Sequence, residues 1–301
     1  MIRSPLALGF TGLALTSICY GTLWPVTRFA VQIMSPLWYG AIRLGSAALL
    51  IAFVLALLGR FRLPPRCDMP IVLSIGFLTL GGYSVLMNLA LQSVAAGRGA
   101  IIGYATVIFV APAAAILFGE TLRRARLAGV LIALGGLAVL FNPLGLDWGD
   151  RGVLIGNAQL VLGAILWSVV ILHLRTHPPV SATIDLLPWQ LAIGASCLAL
   201  TAYASGHGFA WQWSGEYLFA FGYGILIGSA GAAWTMNLAM RHLPVVVSAT
   251  GVLAAPMISL IISVSFMGEA LSLTLVAGVL LIIGGIALVT LNPSRTRIVG
   301  G

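Results

Sequence analysis

The chain repeats itself. Met87-Asn88-Leu89-Ala90 returns as Met236-Asn237-Leu238-Ala239, and Gly119-Glu120 returns as Gly268-Glu269, both displaced by 149 residues. The glycines keep the same step, since Gly129, Gly135 and Gly136 reappear without a gap as Gly278, Gly284 and Gly285. A register shared over such a length marks a duplicated unit. If that unit holds an odd number of membrane helices, its two copies cross the bilayer in opposite senses, the ground plan of an alternating-access carrier.

Lipid is the expected solvent. A soluble domain carries about 25% charged and about 45–50% apolar residues, whereas this chain has 7% and 60%. Ten stretches read as membrane helices, near Ala7–Arg28, Leu37–Leu58, Pro70–Leu91, Gly99–Phe118, Leu127–Phe141, Gly152–Leu174, Leu186–Ala204, Tyr217–Met240, Val245–Met267 and Leu271–Leu291. The fifth is short, and its glycine-for-glycine match to the tenth supports it. The expected fold is therefore an all-α integral membrane protein of two inverted five-helix repeats, residues 1–145 and 146–301. Connections are too short for a soluble domain, which places function within the membrane. The amino-terminal apolar run has the look of a cleavable signal, but it is needed to complete the first repeat, because its Trp24 pairs with the sixth span ending near Trp167.

All 15 basic residues are arginine. On the ten-span reading Arg3, Arg60, Arg62, Arg66, Arg123, Arg124, Arg126, Arg175, Arg241, Arg295 and Arg297 fall on the amino-terminal side, and Arg28, Arg98 and Arg151 on the other. The positive-inside rule then puts both termini in the cytoplasm. Arginines scattered over loops, with no aromatic interleaving, make no nucleic-acid surface despite the net charge of +8. Cys19, Cys67 and Cys197 are odd in number and lack motif spacing, so neither a disulfide framework nor a metal site is expected. His173 and His177 have metal-like spacing, but Pro178 follows at once and no third ligand is near. No cofactor is implied.

Five spans per half would set a central site between two opposed bundles, which can close one face while opening the other. With an Arg in the second span (Ala41-Ile42-Arg43-Leu44), Gly-Glu ending the fourth and ninth, and Gly-Gly in the fifth and tenth, the chain resembles the drug/metabolite transporter superfamily with two EamA-type repeats. The resemblance covers nearly the whole chain. It implies a small-molecule substrate, a bilayer of bacterial inner-membrane type and transport by alternating access. The chain departs from the family in one place: a Pro common about 13 residues before the Glu is present as Pro256, while the first half has Val107 there and its Pro at 112. Any kink in the fourth span is thus expected to be displaced from that in the ninth.

Tyr20, Tyr83, Tyr104 and Trp167 lie within spans beside small residues such as Gly21, Gly82, Gly103 and Ser168, which make room either for a cavity or for a close helix. In exporters of aromatic amino acids of this superfamily aromatic side chains face the central cavity from the first, third, fourth and sixth spans, and the resemblance lands on these four residues. Ala232-Ala233-Trp234 also looks like theirs. Aromatic walls suit aromatic or bulky apolar side chains, each ring pair contributing about 0.5–1.5 kcal/mol beyond area burial, and they also accommodate other lipophilic metabolites. Asn88 and Asn237, equivalent in the repeat, either bond between helices, at about 0.6 kcal/mol on average, or meet the polar end of a substrate. Arg43 either snorkels to the surface, pins its helix, or attracts an anion.

The seven acids, Asp68, Glu120, Asp147, Asp150, Asp185, Glu216 and Glu269, fall in loops or at span ends. That argues for facilitative transport, with His173 as the nearest titratable candidate. An intramembrane enzyme would call for paired acids, a metal cluster or an activated Ser, none evident in the spans. A non-transporting scaffold would fill its repeat interface with side chains. Substrate, direction and oligomeric state are not legible, and the glycine-rich fifth and tenth helices fit packing on their own bundle or on another subunit.

Overall fold

A computed structural model describes residues 5–119, 124–141, 150–209, 212–243, 247, 251–252 and 254–291. The expectations for Arg3, Glu120, Arg123, Asp147, Arg295 and Arg297 lie outside the described residues. The helices are α1 (Pro5–Ile33), α2 (Pro36–Leu57), α3 (Met69–Ala90), α4 (Ala96–Phe118), α5 (Arg124–Phe141), α6 (Arg151–Thr176), α7 (Thr183–Ala204), α8 (Gly215–His242), α9 (Ala254–Phe266) and α10 (Leu273–Leu291). Seven are long and apolar enough to cross a membrane, and α5, α9 and α10 supply the shorter apolar stretches Leu127–Val139, Ala254–Phe266 and Leu273–Val289. No strand occurs among the described residues. This is the all-α membrane fold expected from the sequence, and its outer surface is apolar: Leu49, Phe53 and Leu57, spaced four apart on α2, are each more than 60% exposed, as a lipid-facing stripe must be.

The repeat reaches the backbone. Positive φ values occur at Gly59, Gly119, Gly206 and Gly268 (67°, 63°, 69° and 68°), closing α2, α4, α7 and α9. Such left-handed closures strain any residue with a Cβ, which accounts for glycine at each. A π-helical segment interrupts α3 at Ile75–Tyr83 and another interrupts α8 at Leu226–Gly231, nearly the same place once the offset of 149 is applied. π-segments widen a helix locally and turn side chains out of α-register.

The kink expectation needs correction. Helix α4 breaks at Ala105–Thr106, where Ala105 and Ile108 donate to carbonyls three residues back (Ile102 and Ala105), and Pro112 lies inside the following helical segment Val107–Phe118. Before α9 the same three-residue bond runs from Ala255 to Val252. The two breaks therefore sit at nearly equivalent positions, the second directly before Pro256 and the first six residues ahead of Pro112.

Helices α5 and α10 pack antiparallel on each other within this chain. A Cβ at Gly129 would fall 2.8 Å from the Gly285 carbonyl oxygen, and one at Gly136 would fall 2.8 Å from that of Gly278. Shifted by 149 residues, each contact becomes the other. Helices α2 and α7 pair through a second apolar cluster that includes Leu44, Leu191 and Leu198. Gly81 of α3 meets Cys197 of α7, where a Cβ would lie 2.9 Å from the sulfur. The largest cluster joins residues of all the helices except α7, among them Trp24, Tyr39, Tyr83, Tyr104, Leu160 and Leu260.

Candidate substrate site

Three of the expected aromatic residues converge in that cluster. The Trp167 ring lies 5.6 Å from Tyr83 and 5.8 Å from Tyr104, tilted in the first case and edge-on in the second, both favoured geometries for aromatic pairs. Tyr83 and Tyr104 are buried, while Trp167 and Tyr20 are half-buried and pack against the same cluster. Trp24 joins them, its ring 6.5 Å from Tyr104. The sequence reading had used Trp24 only as a repeat marker; its place next to Pro25, deep in α1, was the available signal. Glycines make the nest. A Cβ at Gly103 would fall 2.6 Å from the Tyr83 hydroxyl, and a Cβ at Gly163 would meet the Tyr83 ring at 2.5 Å. The Tyr83 hydroxyl is buried with no hydrogen-bond partner, a polar atom left facing the cluster.

Arg43 is buried rather than snorkelled, at 5% exposure. Its Nη1 donates to Ser229 Oγ at 2.8 Å, and the guanidinium carbon stands 5.9 Å from the centre of the Tyr39 ring. Ser229 reaches it from the π-segment of α8. Asn88 is fully buried against Gly40 of α2, and neither its Nδ2 nor its Oδ1 has a partner. The interhelical bond weighed for it is not formed.

Trp234 and Asn237 stand apart. They line a cavity of about 150 Å³ with Leu55, Leu58, Arg60, Ile184, Leu238 and Arg241, between the ends of α2 and α8 and the start of α7. Trp234 is 54% exposed. This groove lies on the face that carries the start of α1. Nearby, Arg60 pairs with Asp185 at 2.8 Å, and Asp68 accepts the Val180 and Ser181 amides at 2.8 and 3.0 Å. Burial pushes the Asp68 carboxyl up, but hydrogen bonds from Ser181 and Val180 outweigh it and hold the group below its ordinary value.

The opposite face is laced shut. Glu269, at the end of α9, accepts the amides of Gly97 and Arg98 at the start of α4, at 3.1 and 3.3 Å. Negative charge is favoured at a helix start, and a Cβ at Gly97 would collide with the carboxylate at 2.8 Å. Arg28 of α1 donates to the Leu91 and Val94 carbonyls at 2.7 and 2.6 Å. The sequence showed Arg28 and Glu269 only as residues at span ends. His173 bonds Ser74 at 2.9 Å and its ring lies 4.9 Å from that of His177; among the described residues no group of three metal-ligating side chains forms.

Comparison with known proteins agrees with this architecture. The EamA-like transporter family matches residues 7–142 and again 154–291. The chain is 24% identical over 288 residues to an uncharacterized transporter, YvbV, of Bacillus subtilis, covering 95% of this chain and 92% of that one. It is 26% identical over 288 residues to a probable terminal-alkyne amino-acid exporter of Streptantibioticus cattleyicolor, covering 94% and 93%. The uncharacterized inner membrane transporter YedA of Escherichia coli K12 is 27% identical over 283 residues, covering 91% of this chain and 88% of that one. A crystal structure sharing 24% identity superposes with a TM-score of 0.63 over 97% of this chain and 99% of the other, which shows the common fold. The chain belongs to the EamA-like transporter family and is an integral membrane transporter.

Proposed function

We propose that this EamA-like transporter exports amino acids with aromatic or large apolar side chains by alternating access, as a facilitative carrier whose termini face the cytoplasm of a bacterial inner membrane. The observation that carries the reading is the convergence of Tyr83, Tyr104 and Trp167, with Tyr20 beside them, in the largest apolar cluster. Rings held by glycines repack with little backbone movement, and an incoming aromatic side chain replaces one ring–ring contact by another of similar worth. The amino-acid exporter among the relatives supports the class of substrate.

The two halves, residues 1–145 and 146–301, act as the opposed bundles. In this conformation Glu269 and Arg28 hold one face closed, while the groove over Trp234 and Asn237 opens on the other. Substrate enters along that groove, and the return stroke releases the Glu269 contacts. The absence of a driving ion is read from the described acids. Asp68, Asp150, Asp185, Glu216 and Glu269 all stand in loops or at helix ends.

Uptake of a panel of labelled amino acids into liposomes, with and without a proton gradient, tests the reading. Phenylalanine, tryptophan and leucine should equilibrate faster than alanine or serine, and a gradient should alter the initial rate without accumulation above equilibrium. Selectivity for small polar solutes would contradict the substrate class. Uphill accumulation would contradict facilitation and make His173 the first residue to mutate.

A further inference from the structure

We infer that Arg43 recognises the carboxylate of the carried solute and that Asn88 meets its ammonium group, so that a free α-amino acid head group, not merely an apolar body, is required for transport. The inference rests on the proposed amino-acid reading and sharpens it. Arg43 is a buried cation paired with no carboxylate among the described residues. Four of the described acids are engaged elsewhere: Asp68 on the Val180 and Ser181 amides, Asp150 on the start of α6, Asp185 on Arg60, and Glu269 on α4. Glu216 lies 13 residues before Ser229 on α8, about 20 Å away along a helix.

What surrounds the guanidinium is neutral: one hydroxyl, Ser229, and one ring, Tyr39. Its Nε is buried without an acceptor. A charge so placed is costly unless an anion joins it. The Arg43 stem packs closely on Gly224 of α8, where a Cβ would fall 2.8 Å from Arg43 Cδ. Three residues earlier on α2, on the adjoining strip of the same face, Gly40 receives the unpartnered Asn88 amide. A cation short of an acceptor and an amide oxygen short of a donor are the complement of a carboxylate and an ammonium.

Counterflow in liposomes containing the full chain decides the matter, with L-phenylalanine, L-phenylalaninamide, 3-phenylpropionate, L-leucine and L-leucinamide as competitors. The wild type should prefer each acid over its amide by about tenfold or more, the usual value of a charge-assisted bond. Arg43→Gln should bring that ratio near one for both side chains, and Arg43→Lys should keep most of it. Asn88→Ala should preserve the acid-over-amide ratio while removing the preference for phenylalanine over 3-phenylpropionate; if it does not, Asn88 has no part in the site. Equal handling of acid and amide by the wild type, or an equal loss of both in Arg43→Gln with lowered melting temperature, overturns the carboxylate role. Leucine distinguished from leucinamide without any preference for phenylalanine upholds Arg43 and overturns the aromatic reading instead.

Discussion

Glu269 Oε2 accepts the Gly97 amide at 3.1 Å across 172 residues of sequence, fastening the end of α9 to the start of α4. One carboxylate and two backbone amides make the polar part of this fastening, beside the Arg28 bonds to the Leu91 and Val94 carbonyls. Glu269→Gln should weaken it by about 1.5–3 kcal/mol, the range for hydrogen bonds to a charged group. A cysteine replacing Ser259, which is fully buried against Ala96, should then react with an impermeant thiol reagent about tenfold faster or more, in a background lacking the native cysteines. An unchanged rate would mean that the closure is held elsewhere.

The α5–α10 crossing allows a matched pair of substitutions. Gly136→Ala places a methyl group 2.8 Å from the Gly278 carbonyl oxygen, whereas nothing lies within 4 Å of a Cβ at the adjacent Gly135. Overpacking should cost about 1–3 kcal/mol at 136. At 135 the same change should be neutral or stabilising by about 0.5–1 kcal/mol, since Ala is the better helix former. Thermal unfolding in detergent reads both. Equal melting temperatures would show that the helices do not touch there.

Asp68 gives a pH signature. Its folded carboxyl titrates below the usual value of 3.8, so its contribution is complete above that pH and disappears as pH falls through the lowered value. Asp68→Asn should reduce stability at pH 7 by about 1–2 kcal/mol and flatten the loss of stability of the wild type below about pH 4. A variant with the wild-type acid profile would place the titrating group elsewhere.

Orientation follows from the arginine bias. Single cysteines at Arg62 and at Gln92, both exposed and on opposite faces, should label from the cytoplasmic and the external side respectively. Labelling of position 62 from outside intact cells would invert the assignment and turn the proposed exporter's groove outward.

Much of the architecture was legible because duplication writes it twice. The helical fold and the glycines that close α4 and α9 follow from the apolar spans and the Gly119/Gly268 pair, whereas the glycines of α5 and α10 fitted packing on each other or on another subunit equally well. The π-segments were not legible, since Ile75–Tyr83 and Leu226–Gly231 differ from ordinary helix in hydrogen-bond register and not in composition. Nor did Pro112 mark the break in α4. At the site, the family resemblance pointed to Tyr83, Tyr104 and Trp167, whose rings adjoin in the structure, while their small neighbours alone fitted either a cavity or a close helix; Trp234 and Asn237 line a separate groove. Inversion explains the last case. Asn88 and Asn237 are equivalent in sequence, but the starts of helices in one half meet the ends of helices in the other, as Gly97 meets Glu269, so equivalent residues point toward opposite faces and do not share one site.

Transport by Trp167→Ala tests the central claim most directly. Removing one wall of the cluster should cost about 1 kcal/mol of substrate interaction, several-fold in affinity. In liposomes the variant should therefore lose several-fold more transport of phenylalanine and tryptophan than of valine, with a melting temperature close to that of the wild type. An equal loss for all substrates, together with a lowered melting temperature, would make Trp167 a packing residue and contradict the aromatic substrate site.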